Sequence, residues 1–387
     1  MVSSILKRDL FLSFYGDDFT GSTDVMEMLA LNGIPTALFL KAPERKEVEE
    51  FKLKVGVGSS DDSGRIKAFG VAGISRSLTP SAMDRELPPI FEKIQSVPTD
   101  FFHYKICSTF DSAVDTGNIG HAVELALHHF PAGYIPLIVG APLLNRFVVF
   151  GNLFARVDRT TYRLDRHPTM SKHPVTPMRE SDLRRHLGQQ TSRQISLMDK
   201  FALEGPYGNQ DQSLKTLSEG TQGYVLFDTL DEDHLKTIGQ LLISSHQSEG
   251  TLLVGSSGVE FALALHLQHE QTIKKVSEIE TPGGAGNMVV AAGSAAPGTA
   301  EQIRHMQSLG HPTIRINTLK LTSDLDRGEE IETMVNTVLQ ALENQQVPVL
   351  YSALGPDDPA IADTHRHLAN RGLNQKETGK MIAEAQG

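Results

Sequence analysis

The sequence of 387 residues contains a single cysteine, Cys107. One thiol cannot form an intramolecular disulfide or supply a CxxC metal site, and such sparse use of cysteine is typical of a reducing cytoplasm. No stretch reaches the roughly 18 consecutive apolar residues of a membrane span. The amino-terminal segment also lacks a long apolar core followed by a small-residue cleavage site, so no signal peptide is expected. We therefore expect a cytoplasmic protein with no membrane partner.

Basic residues are also fewer than acidic ones. Lysine and arginine total 36 against 47 acidic residues, which gives a formal net charge of −11. General nucleic-acid binding and binding to anionic membrane surfaces both require a basic face. We therefore expect no nucleic-acid partner. An anionic small molecule would have to be bound by locally placed arginine, lysine or helix amino termini.

Several catalytic motifs are absent from the sequence. It has no GxxxxGK[ST] phosphate loop, no HExxH or Cys/His metal spacing, and no GxGxxG after a predicted strand. It also lacks the GxSxG nucleophile elbow, because the second glycine of GSSG at 255–258 comes one residue early. These absences exclude a P-loop NTPase and a zinc hydrolase of that type, and they argue against a dinucleotide-dependent oxidoreductase.

Apolar runs alternate with helical patterns along the chain, which predicts an α/β fold with a mainly parallel sheet flanked by helices. The first unit is a buried strand at 10–16, a polar loop at 17–21, a helix at 22–33 and a second strand at 36–40. Gly33 is expected to end the helix. Two strands connected in this way should be parallel, with a right-handed crossover.

The same alternation continues beyond this unit. Further strands are predicted at 66–71, 101–107, 134–139, 224–228 and 251–258, and further helices at 118–130, 232–245 and 259–270. Asn118 is expected to cap the first of these helices. The segment 150–175 is rich in Arg, Asp, His and Pro, and predicts a long irregular excursion with a short hairpin, a kind of loop that is often functional.

A change in composition marks a domain boundary. At 274–286 charged residues give way to proline and glycine, which predicts a linker between a domain at 1–273 and a smaller Rossmann-like α/β domain at 287–387. The last stretch of this second domain, 371–387, is a polar helical tail. A doubly wound domain usually has another strand or two beyond such a point, so we expect the second domain to be truncated.

The sequence GDDFTGSTD places two adjacent carboxylates, Asp17 and Asp18, after the end of a predicted strand. That position is the usual ligand edge of an open α/β sheet. A carboxylate there can accept a hydroxyl proton or hold Mg²⁺. Thr20 and Gly21 open a helix whose free N–H groups favour an anion. The alternative is that Asp18 and residues 22–24 only cap this helix.

Two other strand ends carry polar side chains. Arg76 and Ser77 follow one strand and are suited to bind a carboxylate, although an ordinary surface loop is the alternative. In YKICSTFDSAVDTGNIG a lysine, hydroxyls, an acid and a helix amino terminus gather, as a polar anionic substrate requires. These residues are Lys105, Ser108, Thr109, Asp111 and Asn118. Cys107 is expected to share a strand face with Lys105 and to pack there rather than act as a nucleophile.

Two weaker signals remain. SKHPVTP places His173 near the end of the irregular excursion, where it can hydrogen bond a substrate or shape a turn. Turns rich in glycine and serine follow two other strands, at Gly255–Ser256 and around Ser294. Such turns cradle phosphates through backbone N–H groups, but close packing of a strand against a helix also selects small residues.

Together these motifs resemble the four-carbon acid sugar kinase family. The likeness rests on GDDFTGSTD, SRS, YKICSTFDS with GNIG, HPVTP, VGSSG and GSAAPGTAEQI, in that order, and covers nearly the whole chain. The resemblance implies ATP-dependent phosphorylation of a four-carbon sugar acid such as threonate, erythronate or a 3-oxo-tetronate. The domain at 1–273 would bind the acid and the domain at 287–387 the nucleotide. The alternative is a non-catalytic sugar-acid binding or regulatory protein.

The resemblance also implies roles for individual residues. The substrate carboxylate would lie near Arg76 and Lys105, and Asp17 or Asp18 would act as base toward a substrate hydroxyl. Further substrate contacts are expected from Thr20, Gly21, Ser77, Ser108, Thr109, Asp111, Asn118 and His173. Nucleotide contacts are expected from Gly255, Ser256, Ser294, Ala296, Thr299 and Gly355. The implied cofactors are ATP and Mg²⁺, with no metal ligands assigned, and a homodimer is expected.

The chain departs from the family pattern in two places. Where the family usually reads Gly-Ser-Cys-Ser, residues 293–296 read Gly-Ser-Ala-Ala, which removes a hydroxyl. The family's GG[DE]T phosphate loop and its closing GNFG-like stretch do not occur; the only Gly-Gly pair is at 283–284, in the predicted linker. We therefore predict an incomplete nucleotide site and impaired phosphorylation.

Overall fold

The computed structural model describes residues 8–53, 64–157, 159–173, 175–220, 222–246, 251–276, 286–323, 325–370 and 382. The chain divides into two compact units, Met1–Glu280 and Thr281–Gly387. Within the described residues, no helix is both long enough and apolar enough to cross a membrane.

The N-terminal unit is an α/β domain. Its described strands are β1 (Leu10–Gly16), β2 (Thr36–Phe39), β3 (Ala68–Ala72), β4 (Thr99–Lys105), β5 (Ile135–Ile138), β6 (Arg146–Val149), β7 (Asn152–Val157), β8 (Thr160–Arg163), β9 (Ile195–Met198), β10 (Tyr224–Phe227) and β11 (Thr251–Gly255). Its described helices are α1 (Phe19–Leu31), α2 (Arg45–Glu50), α3 (Pro80–Gln95), α4 (Ile119–Leu127), α5 (Leu183–Leu187), α6 (Lys200–Leu203), α7 (Tyr207–Ser218), α8 (Glu232–Ser244) and α9 (Gly258–His269).

Eight of these strands form one parallel sheet in the order β2-β3-β1-β4-β11-β5-β10-β9. The central strands are apolar on both faces because helices cover both faces of the sheet. In β1, Phe14 packs into one core layer with Leu29 of α1, and Tyr15 packs into the other with Phe91 of α3. The predicted fold class is confirmed.

The strand ends of this sheet are aligned. Gly16, the last residue of β1, is in register with Ala72 at the end of β3 and with Lys105 at the end of β4. Because all three strands are parallel, the loops that follow them emerge side by side at one edge. This register brings together side chains that are far apart along the chain.

Several predicted boundaries are corrected by the structure. Helix α1 begins at Phe19, because Asp18 caps it, so Thr20 and Gly21 lie in its first turn rather than in a loop. Strand β4 ends at Lys105, so Cys107 lies beyond the strand and does not share a face with it. β1 and β2 are parallel members of one sheet, as predicted, with β3 between them.

The excursion predicted at 150–175 contains the predicted short hairpin, formed by β7 and β8, followed by short helical turns. β6, which precedes this segment, adds a third antiparallel strand beside β7. Asn118 caps α4, as predicted, by accepting a hydrogen bond from the backbone N–H of His121 at 2.7 Å.

The C-terminal unit holds a smaller parallel sheet. Its described strands are β12 (Val290–Ala292), β13 (Thr313–Arg315) and β14 (Val349–Tyr351), in the order β12-β14-β13, and its described helices are α10 (Pro297–Ser308), α11 (Thr318–Leu321), α12 (Arg327–Glu343) and α13 (Pro359–Ala369). Ile316, Leu321 and Met334 form its small core. The predicted polar tail at 371–387 lies outside the described residues, apart from residue 382.

Candidate active site

A cavity of about 260 Å³ opens at the edge where β1, β3 and β4 end. Charged groups and exposed apolar side chains share its lining. The lining residues are Asp17, Asp18, Phe19, Gly73, Ile74, Arg76, Ser77, Asp111, His173, Val175 and Thr176. Loops following three parallel strands and the far end of the irregular excursion therefore supply one site.

Arg76 lies at the centre of the charged group. Its Nη2 and Nε donate to the two carboxylate oxygens of Asp17, at 2.7 and 3.1 Å, and its Nη1 lies 2.8 Å from Oδ2 of Asp18. Nε is also 3.9 Å from a carboxylate oxygen of Asp111. The backbone reinforces the contact, because Arg76 N–H donates to the Asp17 carbonyl at 3.0 Å. One guanidinium thus organises three carboxylates.

Burial and charge shift the pKa values of these groups in different directions. Burial raises the pKa of Asp17 to about 6, against the opposing effect of the Arg76 charge. Burial alone would lower the pKa of Arg76, but the Asp17 carboxylate outweighs it and raises that pKa. For Asp111, burial is outweighed by Arg76 and by a hydrogen bond from Thr109, and the pKa is lowered. A general base that works near neutral pH needs a pKa in that region, and the raised pKa of Asp17 fits this requirement.

Asp18 serves two purposes at once. Its Oδ1 accepts from the backbone N–H of Gly21 at 2.7 Å and caps α1, while Oδ2 faces Arg76. The cap is therefore Asp18, and not Ser22 or Asp24: the Ser22 hydroxyl donates to the Asp18 carbonyl. Capping and site formation were posed as alternatives for this stretch, and the geometry is compatible with both.

Lys105 lies behind this cluster and is 2% exposed. Its Nζ donates to the Ile106 carbonyl at 3.2 Å and lies 3.7 Å from a carboxylate oxygen of Asp24. Asp24 in turn accepts a hydrogen bond from Ser257, at the start of α9. A Cβ on Gly21 would stand 3.1 Å from Lys105 Nζ, so the first turn of α1 lies directly against the amine.

Asp24 and Ser257 were not among the predicted site residues. Asp24 lies within the GDDFTGSTD motif, but the sequence suggested only a capping role for it. Ser257 lies in the GSSG turn, and its link to Asp24 spans 233 residues. No local pattern indicates a contact of that separation.

The loop after β4 contains a chain of hydrogen bonds. The Thr109 hydroxyl donates to Asp111 Oδ1 at 2.6 Å and lies 2.9 Å from the Cys107 sulfur. Burial raises the pKa of the Cys107 thiol, which suits packing rather than nucleophilic attack. Ser108 is half-buried in the same loop.

His173 reaches the cavity from the excursion. Its Nδ1 accepts from the backbone N–H of Thr176 at 3.0 Å, so in the neutral ring the proton is on Nε2, which is then a donor. Thr176 and Val175 line the cavity beside it and were not predicted. Pro174 of the HPVTP motif lies outside the described residues.

Most of the remaining predicted substrate residues do not line the cavity. Ser77 lines the cavity, and its hydroxyl donates to the Ile74 carbonyl at 2.9 Å. Six predicted substrate residues are absent from the described lining: Thr20, Gly21, Lys105, Ser108, Thr109 and Asn118. Asn118 is buried and occupied in capping α4, so its predicted role toward substrate has an alternative structural explanation.

Gly255 and Ser256, predicted to contact nucleotide, lie in the N-terminal unit at the end of β11. A Cβ on Gly255 would meet the Ile138 carbonyl oxygen at 2.1 Å, and the buried Ser256 hydroxyl donates to the Val139 carbonyl at 2.7 Å. Close packing against β5 thus accounts for both small residues. They belong to a different unit from Ser294, Ala296, Thr299 and Gly355.

The C-terminal unit has its own cavity, of about 500 Å³, at the carboxyl edge of its sheet. Gly355 lines it in a left-handed conformation, with φ of 103°. Arg315 also lines it; this side chain pairs with Asp358 at 2.9 Å and lies over the Tyr351 ring. Ser294, Ala296 and Thr299 belong to the turn and first residues of α10, the helix that forms one wall through Pro297, Ala300, Glu301 and Arg304.

Among the residues that the structure describes, no group of three or more His, Cys, Asp or Glu side chains is placed to hold a metal ion. The three carboxylates of the first cavity face Arg76 instead. Each carboxylate oxygen can accept more than one hydrogen bond, so the cluster can also bind hydroxyl groups of a ligand.

Comparison with known proteins gives consistent matches. A sugar-binding N-terminal domain matches residues 12–263, and a nucleotide-binding C-terminal domain matches residues 289–387. A 3-oxo-isoapionate kinase of Paraburkholderia graminis is 36% identical over 376 residues, covering 97% of this chain and 77% of the relative. A 3-oxo-tetronate kinase of Pectobacterium atrosepticum is 29% identical over 355 residues, covering 90% and 76%. The solved structure of a Salmonella typhimurium LT2 protein shares the fold, with a TM-score of 0.71 at 22% identity over 97% of this chain and 80% of that one.

Proposed function

The chain belongs to the four-carbon acid sugar kinase family, and on that basis we propose that it transfers the γ-phosphoryl group of ATP to a hydroxyl of a small 3-oxo sugar acid. The relatives are named for 3-oxo-tetronate and 3-oxo-isoapionate. The first cavity has a volume of about 260 Å³, which is below the roughly 300–1,000 Å³ of pockets for drug-sized ligands. Its size therefore supports a smaller substrate, of four or five carbons.

The observation that carries the proposal is the buried Asp17 held by Arg76 at the cavity floor. A hydroxyl attacking phosphorus must lose its proton, and a base with a pKa near the working pH removes it most effectively. Asp17, with a pKa raised to about 6, meets that requirement. The proton goes to Asp17, the hydroxyl oxygen bonds to the γ-phosphorus, and the bond from that phosphorus to the leaving ADP oxygen breaks.

Other residues would hold the acceptor. Lys105, buried between the first turns of α1 and α9, supplies positive charge toward the substrate carboxylate. His173 presents an Nε2–H donor to a substrate oxygen. Asp18 and Asp111, fixed by Arg76, accept hydrogen bonds from substrate hydroxyls. Positioning of this kind supplies most of the catalysis in phosphoryl transfer.

The C-terminal unit would hold ATP. Its cavity of about 500 Å³ is bordered by α10, whose amino terminus favours phosphate, and contains Arg304 and Arg315 as cations. Mg²⁺, when bound with ATP, neutralises phosphate charge. Because the carboxylates of the first cavity face Arg76, the phosphates and water would supply most ligands of that ion.

A second candidate is a non-catalytic sugar-acid binding protein. The observation that favours it is that the described lining of the first cavity comes entirely from the N-terminal unit, so acid binding there does not require the nucleotide-binding unit. A homodimer in the cytoplasm remains part of the proposal, and size-exclusion chromatography with light scattering tests its oligomeric state.

The deciding experiment is a coupled ADP-release assay on four- and five-carbon acids and their 3-oxo forms, with products followed by ³¹P NMR. The variants are Asp17→Asn and Asp182→Asn. Asp182 is a matched control because, like Asp17, it accepts two hydrogen bonds from an arginine, and its partner Arg184 and Asp182 itself lie outside the cavity lining.

We expect turnover by the wild type and by D182N, and a loss of about 10²–10⁴-fold in D17N. Saturable binding of a sugar acid in a thermal-shift assay without turnover would favour the non-catalytic reading. Neither binding nor turnover across the whole panel would contradict both.

A further inference from the structure

The turn that carries Arg76 rests on two buried tyrosines. This turn, Ser75–Ser77, joins β3 to α3. Tyr15 comes from β1 and Tyr104 from β4, and their rings are stacked with centroids 5.9 Å apart and an interplanar angle of 7°. Both are about 1% exposed. The two neighbouring strands therefore supply one aromatic platform beneath the arginine.

The hydroxyls of the platform contact the turn directly. The Tyr15 hydroxyl accepts from the backbone N–H of Ile74 at 3.3 Å, and the Tyr104 hydroxyl lies 2.9 Å from Ser75 Oγ. Ile74 and Ser75 are the two residues that precede Arg76. Since Ser75 and Tyr104 are both buried, the contact between them lies out of reach of competing water.

The surroundings leave the turn little freedom. A Cβ on Gly73 would stand 2.1 Å from Cζ of Tyr15, so the backbone entering the turn lies directly against the hydroxyl end of that ring. Gly117 closes the other side, where an added Cβ would be 2.5 Å from the Arg76 carbonyl oxygen. Phe91 of α3 packs edge-on against both tyrosine rings, at 5.6 and 6.4 Å, and fixes the platform from below.

Packing alone would be supplied equally well by phenylalanine. The hydroxyls add directional hydrogen bonds, which fix the position of the Ile74 N–H and of the Ser75 hydroxyl in the turn. Burial raises the pKa of Tyr15, and burial together with the Asp17 charge raises that of Tyr104. Both hydroxyls therefore remain protonated at neutral pH and act as fixed hydrogen-bonding groups.

We propose that Tyr15 and Tyr104 are positioning residues that, through Ile74 and Ser75, hold the Arg76 guanidinium in register with the Asp17 carboxylate. The kinetic consequence rests on the proposed kinase function. The structural consequence does not rest on it, because the Arg76–Asp17 pair exists whether or not the protein converts a substrate.

The test compares Tyr15→Phe, Tyr104→Phe and Tyr134→Phe. Tyr134 is the matched control: its partly buried hydroxyl lies 3.0 Å from Ser245 Oγ, just before β5, at the opposite edge of the sheet from the cavity. All three variants remove one hydroxyl–protein contact and retain the ring. Any general loss of stability should therefore be similar among them.

The first readout is hydrogen exchange of the Arg76 Nε–H, which donates to Asp17, observed by ¹⁵N-edited NMR of arginine side chains and assigned by its loss in Arg76→Lys. We expect exchange about tenfold faster in Y15F and Y104F than in the wild type and in Y134F. Exchange at the wild-type rate in both site variants would overturn the inference, even for a protein without turnover.

The second readout is kinetic. In an active enzyme we expect kcat/KM to fall about tenfold in Y104F, with kcat carrying most of the loss, and to be unchanged in Y134F. Ser75→Ala should lower kcat/KM at least as much as Y104F, because Ser75 also contacts the Tyr15 hydroxyl, and the Ser75→Ala/Tyr104→Phe double variant should be no worse than Ser75→Ala alone. Additive losses would contradict a shared role through Ser75. A wild type without turnover would contradict the proposed function and leave the exchange result to decide the inference.

Discussion

Arg76 donates two roughly parallel hydrogen bonds to Asp17, from Nη2 to Oδ1 at 2.7 Å and from Nε to Oδ2 at 3.1 Å. The two residues are 59 positions apart and follow neighbouring parallel strands. A bidentate pair fixes the orientation of the carboxylate as well as its distance. Asp17 is 4% exposed and still lines the cavity, so the pair is positioned for chemistry rather than for surface charge.

We expect kcat/KM to fall as pH decreases through about 6. The pKa of Asp17 is raised to about 6, so its carboxyl is increasingly neutral below that pH and cannot accept the substrate proton. A pH–rate profile between pH 5 and 8.5 measures this limb, with Asp18, Arg76 and Lys105 as the charges acting on Asp17. His173→Gln is the control, because it removes the imidazole of the cavity lining and keeps Asp17 and Arg76. If the fall of kcat/KM at low pH disappears in H173Q, that fall would be due to His173 rather than to Asp17.

Replacing Arg76 by lysine keeps one positive charge but loses the two-point contact with Asp17. We expect kcat/KM to fall by about 100-fold or more, and the free energy of unfolding to fall by about 3 kcal/mol, because buried carboxylates lose their hydrogen-bonded partner. Steady-state kinetics and urea denaturation measure the two effects. Arg184→Lys, which breaks the comparable pair with Asp182, should leave kcat/KM unchanged. Equal kinetic losses in both variants would indicate a general structural effect.

Gly21→Ala should be destabilising although it replaces a helical glycine. A Cβ at this position would stand 2.7 Å from Asp18 Oδ1 and 3.1 Å from Lys105 Nζ, so the cap and the amine must shift. Gly208→Ala in α7 is the control, since nothing lies within 4 Å of the added carbon. We expect G208A to be neutral or to stabilise by about 0.5–1 kcal/mol. We expect G21A to lower both Tm and kcat/KM; a Tm equal to or above that of the wild type would contradict the close approach.

Lys105→Met should weaken binding of the sugar acid specifically. The amine is the buried cation next to the first turn of α1, and methionine retains most of its apolar volume while removing the charge. We expect KM for the acid to rise about tenfold or more, with KM for ATP unchanged. Lys93→Met, which removes an exposed lysine paired with Glu44, should alter neither constant. A rise confined to the KM for ATP would indicate that Lys105 contacts the nucleotide rather than the acid.

Much of the first cavity could be predicted because its parts lie at strand ends. The apolar runs of β1 and β4 are long enough to identify, and parallel register then places Asp17, Arg76 and Asp111 at one edge. The partners within that edge could not be predicted. The sequence predicts that Arg76 lies near a substrate carboxylate, but it does not indicate the three protein carboxylates that Arg76 contacts, because these contacts depend on side-chain packing across up to 59 residues of sequence.

The turns rich in glycine and serine were the least informative signals. Gly255 and Ser256 match a phosphate-binding pattern, yet the Ile138 and Val139 carbonyls at close range account for both. Small residues are required equally by a ligand and by a neighbouring strand, and sequence alone does not distinguish the two. For Asp18 the sequence predicted either capping or site formation, and the two carboxylate oxygens divide: Oδ1 accepts from Gly21 N–H and Oδ2 faces Arg76.

Strand β11 is the last described strand of the N-terminal unit along the chain, yet it lies between β4 and β5 within the sheet. During synthesis on a ribosome, β1–β4 and then β5, β9 and β10 emerge first, as two groups that share no ladder until β11 joins them. Until then the edges of β4 and β5 are open to pairing with other chains. A nascent chain stalled before Thr251 should therefore depend on chaperones, and its risk of aggregation should fall sharply once the next few residues clear the exit tunnel.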